Sequence, residues 1–290
     1  MSLYDELAAA VRSGAPVALA TVIDGPGVGS KALVRPGSPL SGSLGDPDLD
    51  RVVERDALGE LAAGTSGVRH YGPHGEAREA TVAVFIESFA PPPRMLVFGA
   101  VDFTRALVKV AKVLGYHVTV CDAREVFATR KRFPEADEVV VEWPDRLLGR
   151  VGPELTRRDA VCVLTHDAKF DVPALVSALE TDAGYIGAMG SRRTHADRVV
   201  RLKEALAATG SLSEDEVAAR LERIRAPIGL DIGARTPEET AISICAEIIA
   251  DRTGRSSDVR PLRATSGPIH RPMPSGAGSP GRSSEAAPAS

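Results

Sequence analysis

Two hydrophobic periods alternate along the second half of this chain, and each switch between them marks an element. Met95-Leu96-Val97-Phe98 is a continuous apolar run that stops at Gly99. Ala106, Leu107, Val110, Val113 and Leu114 then recur at three- and four-residue spacings, which predicts a helix that Gly115 breaks. His117 to Cys121 is a second β-branched run, ending at Asp122. Strand, tight turn, helix and strand in that order form the opening βαβ unit of a Rossmann-type sheet. The same reading places strands at Glu138–Trp143, Ala160–Thr165 and Gly184–Met189. Asp171 is expected to cap a helix with Pro173 in its first turn and Leu175 and Leu179 inward. A helix over Arg193–Ala207 follows the last strand. Capping boxes at Ser213/Glu216 and Thr236/Glu239 open two more helices. The second of these, Pro237–Ala250, is apolar on much of its surface and should be buried. Alternation of this kind predicts an α/β fold: a mainly parallel sheet with helices on both faces.

The first half reads differently. MSLYDELAAAVRSG is a short amphipathic helix, and Pro16–Ile23 is a strand closed by Asp24-Gly25-Pro26. A stretch dense in Gly, Pro and Ser follows, with room for one short strand at Ala32–Val34. Asp48–Ala63 has helical spacing, Thr81–Phe89 is a strand, and Pro91-Pro92-Pro93 is a stiff linker. These segments predict a smaller α+β domain over residues 1–92 and a Rossmann-like domain over residues 93–254. The Pro-, Gly-, Ser- and Ala-rich stretch 255–290 lacks a periodic apolar pattern and is expected to be a disordered tail.

Composition narrows the function classes. The 290 residues are 43% hydrophobic and 26% charged, normal for a protein with a buried core and a soluble surface. A net charge of −4 argues against nucleic-acid binding. No apolar run approaches the ~18–20 residues of a membrane span. The N-terminal helix carries acids and lacks a basic n-region, unlike a signal peptide, so a cytoplasmic protein is expected. Cys121, Cys162 and Cys245 lie scattered in apolar segments and read as buried free thiols.

Candidate chemistry collects at the expected carboxyl ends of the strands. Asp122 follows Gly99 at about the separation of a ribose-binding carboxylate. The phosphate loop, however, reads Gly99-Ala100-Val101-Asp102. Val101 puts a Cβ where backbone approaches a pyrophosphate, and Asp102 adds negative charge at the anion-binding helix end, so ordinary dinucleotide binding is disfavoured. Asp122 with Arg124 ends the second strand, and Thr165-His166-Asp167 ends the fourth. His166 can serve as a general base, bind a ligand, or simply satisfy loop carbonyls. The strongest group is Gly190-Ser191-Arg192-Arg193-Thr194, where small residues run into two arginines at a helix start. Free N–H groups, the helix dipole and two guanidiniums favour a phosphate or an acidic partner group. Farther on, the Gly- and Pro-rich loop before the last helix can hold Asp231 and Arg235 near the same pocket or merely pack that helix. Two other motifs fail. Gly25–Lys31 lacks the Gly-Lys-Ser/Thr ending of a P-loop, and His70 and His74 are separated by Gly72-Pro73, so they cannot share a helical face.

YIGAMGSRRTHADR and RIRAPIGLDIGARTPEETAISICAEIIA resemble the C-terminal Rossmann domain of the XdhC/CoxI family. LVFGAVDFTRAL, VTVCDARE and VCVLTHDAKFDVPAL fit it in register, so the likeness covers about residues 94–252. PVALATVIDGPG and SGSLGDPDLD resemble the family's N-terminal domain more weakly. The resemblance implies a non-catalytic accessory protein for molybdenum hydroxylases such as xanthine or carbon monoxide dehydrogenase. Such a protein binds molybdenum cofactor, a pterin carrying a phosphate and often a nucleotide, helps its sulfuration and inserts it into the apo-enzyme. A cysteine desulfurase is an implied second partner, and a homodimer is compatible with the family. On this reading Gly99, Asp122, His166, Gly190, Ser191, Arg192, Arg193 and Thr194 contact the cofactor. Three departures separate this chain from the family pattern. Gly29-Ser30-Lys31-Ala32 lacks Pro-Arg, Gly45-Asp46-Pro47 replaces a Gly-Gly-Cys turn, and Gly99-Ala100-Val101 replaces Gly-x-Gly. The alternatives are a nicotinamide-dependent oxidoreductase, with Asp122 on the ribose and His166 as acid/base, and a ligand-free assembly scaffold.

Overall fold

The structure is a computed structural model and describes residues 2–76, 79–208, 212–255 and 259. The tail expected from residue 255 lies, apart from Arg255 and Val259, outside the described residues.

The first sheet is antiparallel, built from β1 (Val17–Asp24), β2 (Lys31–Val34), β3 (Ser41–Ser43), β4 (Gly67–Tyr71) and β5 (Val82–Phe89) in the order β3-β2-β1-β5-β4. Helices cover both its faces. Ala18, Ala20 and Val22 of β1 point to α2 (Pro47–Ala63), whose Leu49, Val53, Ala57 and Leu61 repeat every four residues down one stripe. Val17 and Leu19 point the other way, to Leu3, Leu7 and Ala10 of α1 (Leu3–Ser13). The Gly25–Lys31 segment is the turn between β1 and β2 and opens no helix. β3 and β4, which the hydrophobic pattern missed, are the two edge strands; Gly-Val-Arg-His-Tyr of β4 is mostly exposed and carries no alternating signal. His70 lies on β4, whereas His74 lies in the following turn against Asp46, with Nδ1 and Oδ2 2.8 Å apart.

The second sheet is parallel. Its strands are β6 (Arg94–Phe98), β7 (His117–Cys121), β8 (Glu138–Val140), β9 (Ala160–Val163), β10 (Tyr185–Ala188) and β11 (Ile224–Arg225), in the order β11-β10-β9-β6-β7-β8. Met95 and Val97 face one core together with Ala106, Leu107 and Ala111 of α3 (Asp102–Val113) and Ile244 and Ile248 of α8 (Pro237–Arg252). Leu96 and Phe98 face the other, with Leu147 and Leu148 of α4 (Pro144–Val151), Leu175 and Leu179 of α5 (Ala168–Leu179) and Leu202 of α6 (Arg192–Ala207). A strand buried on both faces has no polar side to show, which is why these segments read as unbroken apolar runs. Both predicted capping boxes are present, at Ser213 opening α7 (Glu214–Leu221) and at Thr236 opening α8.

Two expectations need correcting. The third strand of this sheet ends at Val140 rather than Trp143, because Trp143 is already the N-cap of α4, with Pro144 fixing its first turn. Asp171 does not cap α5. Asp167 does, its side chain accepting from the Lys169 N–H (3.1 Å), so Pro173 sits inside the helix. The Asp171 carboxylate is used elsewhere, in the pair described below. Between the sheets, the Arg158 guanidinium donates to the Pro91 carbonyl of the linker (2.9 Å). Among the described residues no helix is long and apolar enough to cross a membrane.

Candidate functional site

The chain leaves β6 toward β7 and β8 on one side and returns to β9, β10 and β11 on the other. The strand order therefore reverses between β6 and β9, where open α/β sheets bind ligands beyond the strand ends. Gly99 stands at this point with φ +106°, and a Cβ on it would lie 2.9 Å from the Thr165 nitrogen. Glycine is required here by the closeness of the two strand ends. The Thr104 hydroxyl donates to the Gly99 carbonyl and pins the turn.

The loop after Gly99 is closed by Asp122. Its carboxylate accepts from the Ala100 N–H (2.9 Å), the Arg124 N–H (3.0 Å), Arg124 Nε (2.9 Å) and Arg124 Nη2 (2.8 Å). Burial works to raise the Asp122 pKa, but these donors outweigh it and hold the carboxyl below its usual range. A carboxylate has about four acceptor directions, and here protein donors take them. The ribose contact of an ordinary dinucleotide thus finds its acceptor already occupied. Beside it lies a cavity of about 230 Å³ lined by Ala100, Val101, Asp102, Arg124, Phe127 and Arg132. Arg124 and Arg132 both lie over the Phe127 ring, 4.5 and 5.6 Å from its centroid. Asp102 is almost fully exposed at the start of α3, with Arg132 3.7 Å away.

On the other side of the switch point, β9 and β10 deliver the second group. Gly190 has φ +139°, and a Cβ there would press on Thr194 at 3.2 Å. Ser191 caps α6 by accepting from the Thr194 N–H (3.1 Å), and the two hydroxyl oxygens lie 2.9 Å apart. The first turn of α6 contains no acidic residue, so nothing in it offsets the positive end of the helix. Beneath it runs a buried chain of polar contacts. Thr165 Oγ1 donates to Asp171 Oδ1 (2.7 Å), and Arg198 Nη2 donates to Asp171 Oδ2 (2.9 Å) and to the Met189 carbonyl (2.7 Å). Both charged side chains are nearly inaccessible, at 3% for Arg198 and 4% for Asp171. Burial pushes the Asp171 carboxyl up, against the opposing pull of Thr165 and Arg198. Arg198 Nη1 is buried and has no hydrogen-bond partner.

Between the start of α5 and the side of α6 opens a cavity of about 340 Å³, lined among others by His166, Asp167, Asp171, Thr194, Arg198 and Arg201. The structure thus brings together His166 and Thr194 of the predicted set, with Ser191 hydrogen-bonded to Thr194. Arg192 and Arg193 are exposed at the helix start and line neither cavity, and Gly99 and Asp122 lie at the neighbouring loop. Asp231 and Arg235 line neither cavity either. Sequence reasoning missed Arg198 and Arg201. The available signal was their spacing from Thr194, four and then three residues, which puts all three on one face of α6.

The thiols line neither cavity. Cys121, Cys162 and Cys245 are buried, and burial pushes Cys121 and Cys245 up to about 12 and Cys162 up as well. Among the described residues no group of three or more His, Cys, Asp or Glu side chains is placed to hold a metal ion.

Comparison with known proteins gives these features a context. Residues 95–248 match the XdhC Rossmann domain, and residues 10–72 match the XdhC and CoxI family. The chain is 32% identical over 174 residues to a probable xanthine dehydrogenase subunit of Bacillus subtilis (strain 168), covering 60% of this chain and 47% of that protein. It is 27% identical over 174 residues to the molybdenum cofactor insertion chaperone PaoD of Escherichia coli (strain K12), covering 60% of this chain and 45% of that protein. It therefore spans about half the length of these curated relatives. A crystal structure of a xanthine dehydrogenase from Bacillus halodurans shares the fold at a TM-score of 0.50 and 20% identity, covering 90% of this chain and 98% of that one. With a Rossmann-domain match over more than half its length, and a second match in its first sheet, the chain belongs to the XdhC and CoxI family.

Proposed function

We propose that this chain is an accessory factor in the maturation of a molybdenum hydroxylase, receiving molybdenum cofactor at the carboxyl edge of the parallel sheet. In this reading residues 1–92 and 93–254 are two domains, and the second carries the cofactor's phosphate end. The supporting observation is the α6 start: an acid-free first turn, the Ser191 and Thr194 hydroxyls together, and buried Arg198 beneath with an unpartnered Nη1. These groups suit a phosphate.

The metal end of the cofactor finds less. A thiolate is the natural soft ligand, and all three thiols are buried and held protonated. Bound, the cofactor would supply the redox chemistry later used by the client enzyme. This chain's own residues position it. Ser191, Thr194 and the free N–H groups of α6 take the phosphate, His166 stands beside it, and the Asp122–Arg124 pair fixes the Gly99 loop that borders the crevice. Arg192 and Arg193, exposed at the rim, are placed to meet an acidic surface of the client apo-enzyme. The likeness to a protein named as a cofactor insertion chaperone supports this direction of transfer.

The test is anaerobic reconstitution. The purified full chain is mixed with molybdenum cofactor, gel-filtered and added to a cofactor-free molybdenum hydroxylase. Co-elution of pterin with the chain, followed by recovery of hydroxylase activity, is expected. Failure of the pterin to co-elute would sink the proposal. Heat from NADH or NADPH in calorimetry would instead revive the oxidoreductase alternative. A stable complex with the hydroxylase in the absence of any pterin binding would favour the scaffold.

A further inference from the structure

The cavity between α5 and α6 has features that the helix start alone does not explain. Its floor is Arg198, whose Nη2 is used by Asp171 and the Met189 carbonyl while Nη1 is buried without an acceptor. A fully buried guanidinium normally has its N–H groups paired, so an orphan beside a cavity marks a place where an acceptor belongs. Arg201, one turn further along the same face of α6, lines the cavity and makes no ion pair among the described residues. Thr194, its hydroxyl oxygen 2.9 Å from that of Ser191, lines the same wall, and His166 lines it from the end of β9. Two acids also face this space, and neither cancels Arg201. Asp171 already holds Arg198 and the Thr165 hydroxyl. Asp167 caps α5 and sits 3.4 Å from Lys169.

We propose that this cavity is a built receptor for a tetrahedral oxyanion, a phosphate monoester, held directly by Arg201 and the Thr194 hydroxyl above the buried Arg198. It deepens the reading given above, resting on it only for what carries the phosphate. It also shifts the binding contacts from the helix start to the inner face of the helix, away from Arg192 and Arg193, which line no part of the cavity. In this arrangement the unpartnered Arg198 Nη1 donates to the anion from below. Its Nη2 bonds hold it against Asp171 and β10, and its charge lies under the anion. The Gly190 position fits as well, because a Cβ there would meet Thr194 at 3.2 Å and Arg198 Nη2 at 3.5 Å, crowding the two side chains that shape the wall.

The experiment is calorimetry and thermal shift on the full chain with inorganic phosphate, cytidine monophosphate and a pterin monophosphate, against sulfate and chloride at matched ionic strength. Four proteins are compared: the natural chain, Arg201→Ala, Arg201→Lys and the double variant Arg192→Ala/Arg193→Ala. The natural chain should bind at least one of the phosphates. Arg201→Ala should weaken that binding at least tenfold, Arg201→Lys should recover part of it, and the double variant should stay within about threefold. Because Arg201 has no ion-pair partner among the described residues, unliganded Arg201→Ala should melt as the natural protein does. Unchanged affinity in Arg201→Ala would overturn the proposal. So would loss confined to the double variant, stabilisation by chloride equal to that by phosphate, or no binding of any phosphate. Binding of inorganic phosphate without the pterin compound leaves the cavity as assigned and removes the cofactor reading instead.

Discussion

Arg124 grips Asp122 through two parallel N–H···O bonds, Nε to Oδ1 at 2.9 Å and Nη2 to Oδ2 at 2.8 Å, although only one residue separates them. The pair turns the expected ribose-binding acid into a structural clasp for the Gly99 loop. Asp122→Asn keeps the shape but replaces an acceptor oxygen with a donor that faces N–H groups. We expect a loss of about 2 kcal/mol at pH 7, less than for a fully buried pair because Arg124 is half exposed. The carboxyl is held below its ordinary value near 4, so its contribution is complete above that value and fades as pH falls through the lower folded one. Urea unfolding of both proteins between pH 7 and pH 3 should show the gap closing on the acid side. A pH-independent gap would mean that ionisation of Asp122 is not what stabilises the loop.

Gly99 and Gly115 offer a matched comparison. Both have positive φ, +106° and +80°, but a Cβ at Gly99 would strike the β9 backbone, while at Gly115 there is open space. Gly115→Ala should cost only the left-handed backbone strain, about 1 kcal/mol. Gly99→Ala adds displacement of Thr165, and a loss of about 2–3 kcal/mol is expected, near 5–10 °C in Tm. Thermal melts of the two variants decide it, and equal shifts would show that the strand ends separate easily.

These comparisons explain which parts of the molecule were legible in its sequence. β6, α3 and β7 announced themselves because a doubly buried strand must be apolar throughout and its helix must carry an apolar stripe. The capping boxes were legible because Ser213 with Glu216, and Thr236 with Glu239, are complete within four residues. β3, β4 and β11 were not, since each is a short edge strand paired on one side only. The site was half legible. Gly190 to Thr194 stood out as a strand running into a basic helix start. Asp171 looked like a cap because Pro173 follows it, and its real partner, Arg198, lies 27 residues away, where no local pattern connects them. An arginine inside a polar helix reads as solvent-facing until the fold buries it.

In the first sheet, Asp46 does two jobs with its two oxygens. Oδ1 caps α2 by accepting from the Asp48 and Leu49 N–H groups (2.9 and 3.0 Å), while Oδ2 meets His74 Nδ1. The Asp46 side chain raises the His74 pKa above its ordinary value near 6.5. A raised histidine stabilises the fold fully below its unfolded pKa, and that contribution is lost as pH rises through the folded value. Asp46→Ser keeps a capping oxygen and removes the histidine's partner. An NMR titration should find His74 titrating above its ordinary value in the natural chain and lower in Asp46→Ser than in the natural chain. Identical titrations would show that the His74–Asp46 contact does not persist in solution.

Asp171 and Arg198 should behave as a unit. Asp171→Ala leaves a guanidinium buried with only the Met189 carbonyl, and Arg198→Met leaves a buried carboxyl with only the Thr165 hydroxyl. Breaking a buried pair from either side costs about 3–5 kcal/mol, most of it the stranded partner. Removing both charges together removes that stranding, so the double variant should cost well under the sum of the singles, by about 2–3 kcal/mol. Urea unfolding of the four proteins completes the cycle. The same cycle also bears on the cavity. Phosphate binding should fall in the double variant, which lacks the charge beneath the anion, even where its stability is largely restored. If the double variant is both restored and binds phosphate as the natural chain does, Arg198 serves only to join α6 to α5, and the cavity's affinity rests on Arg201 and Thr194 alone.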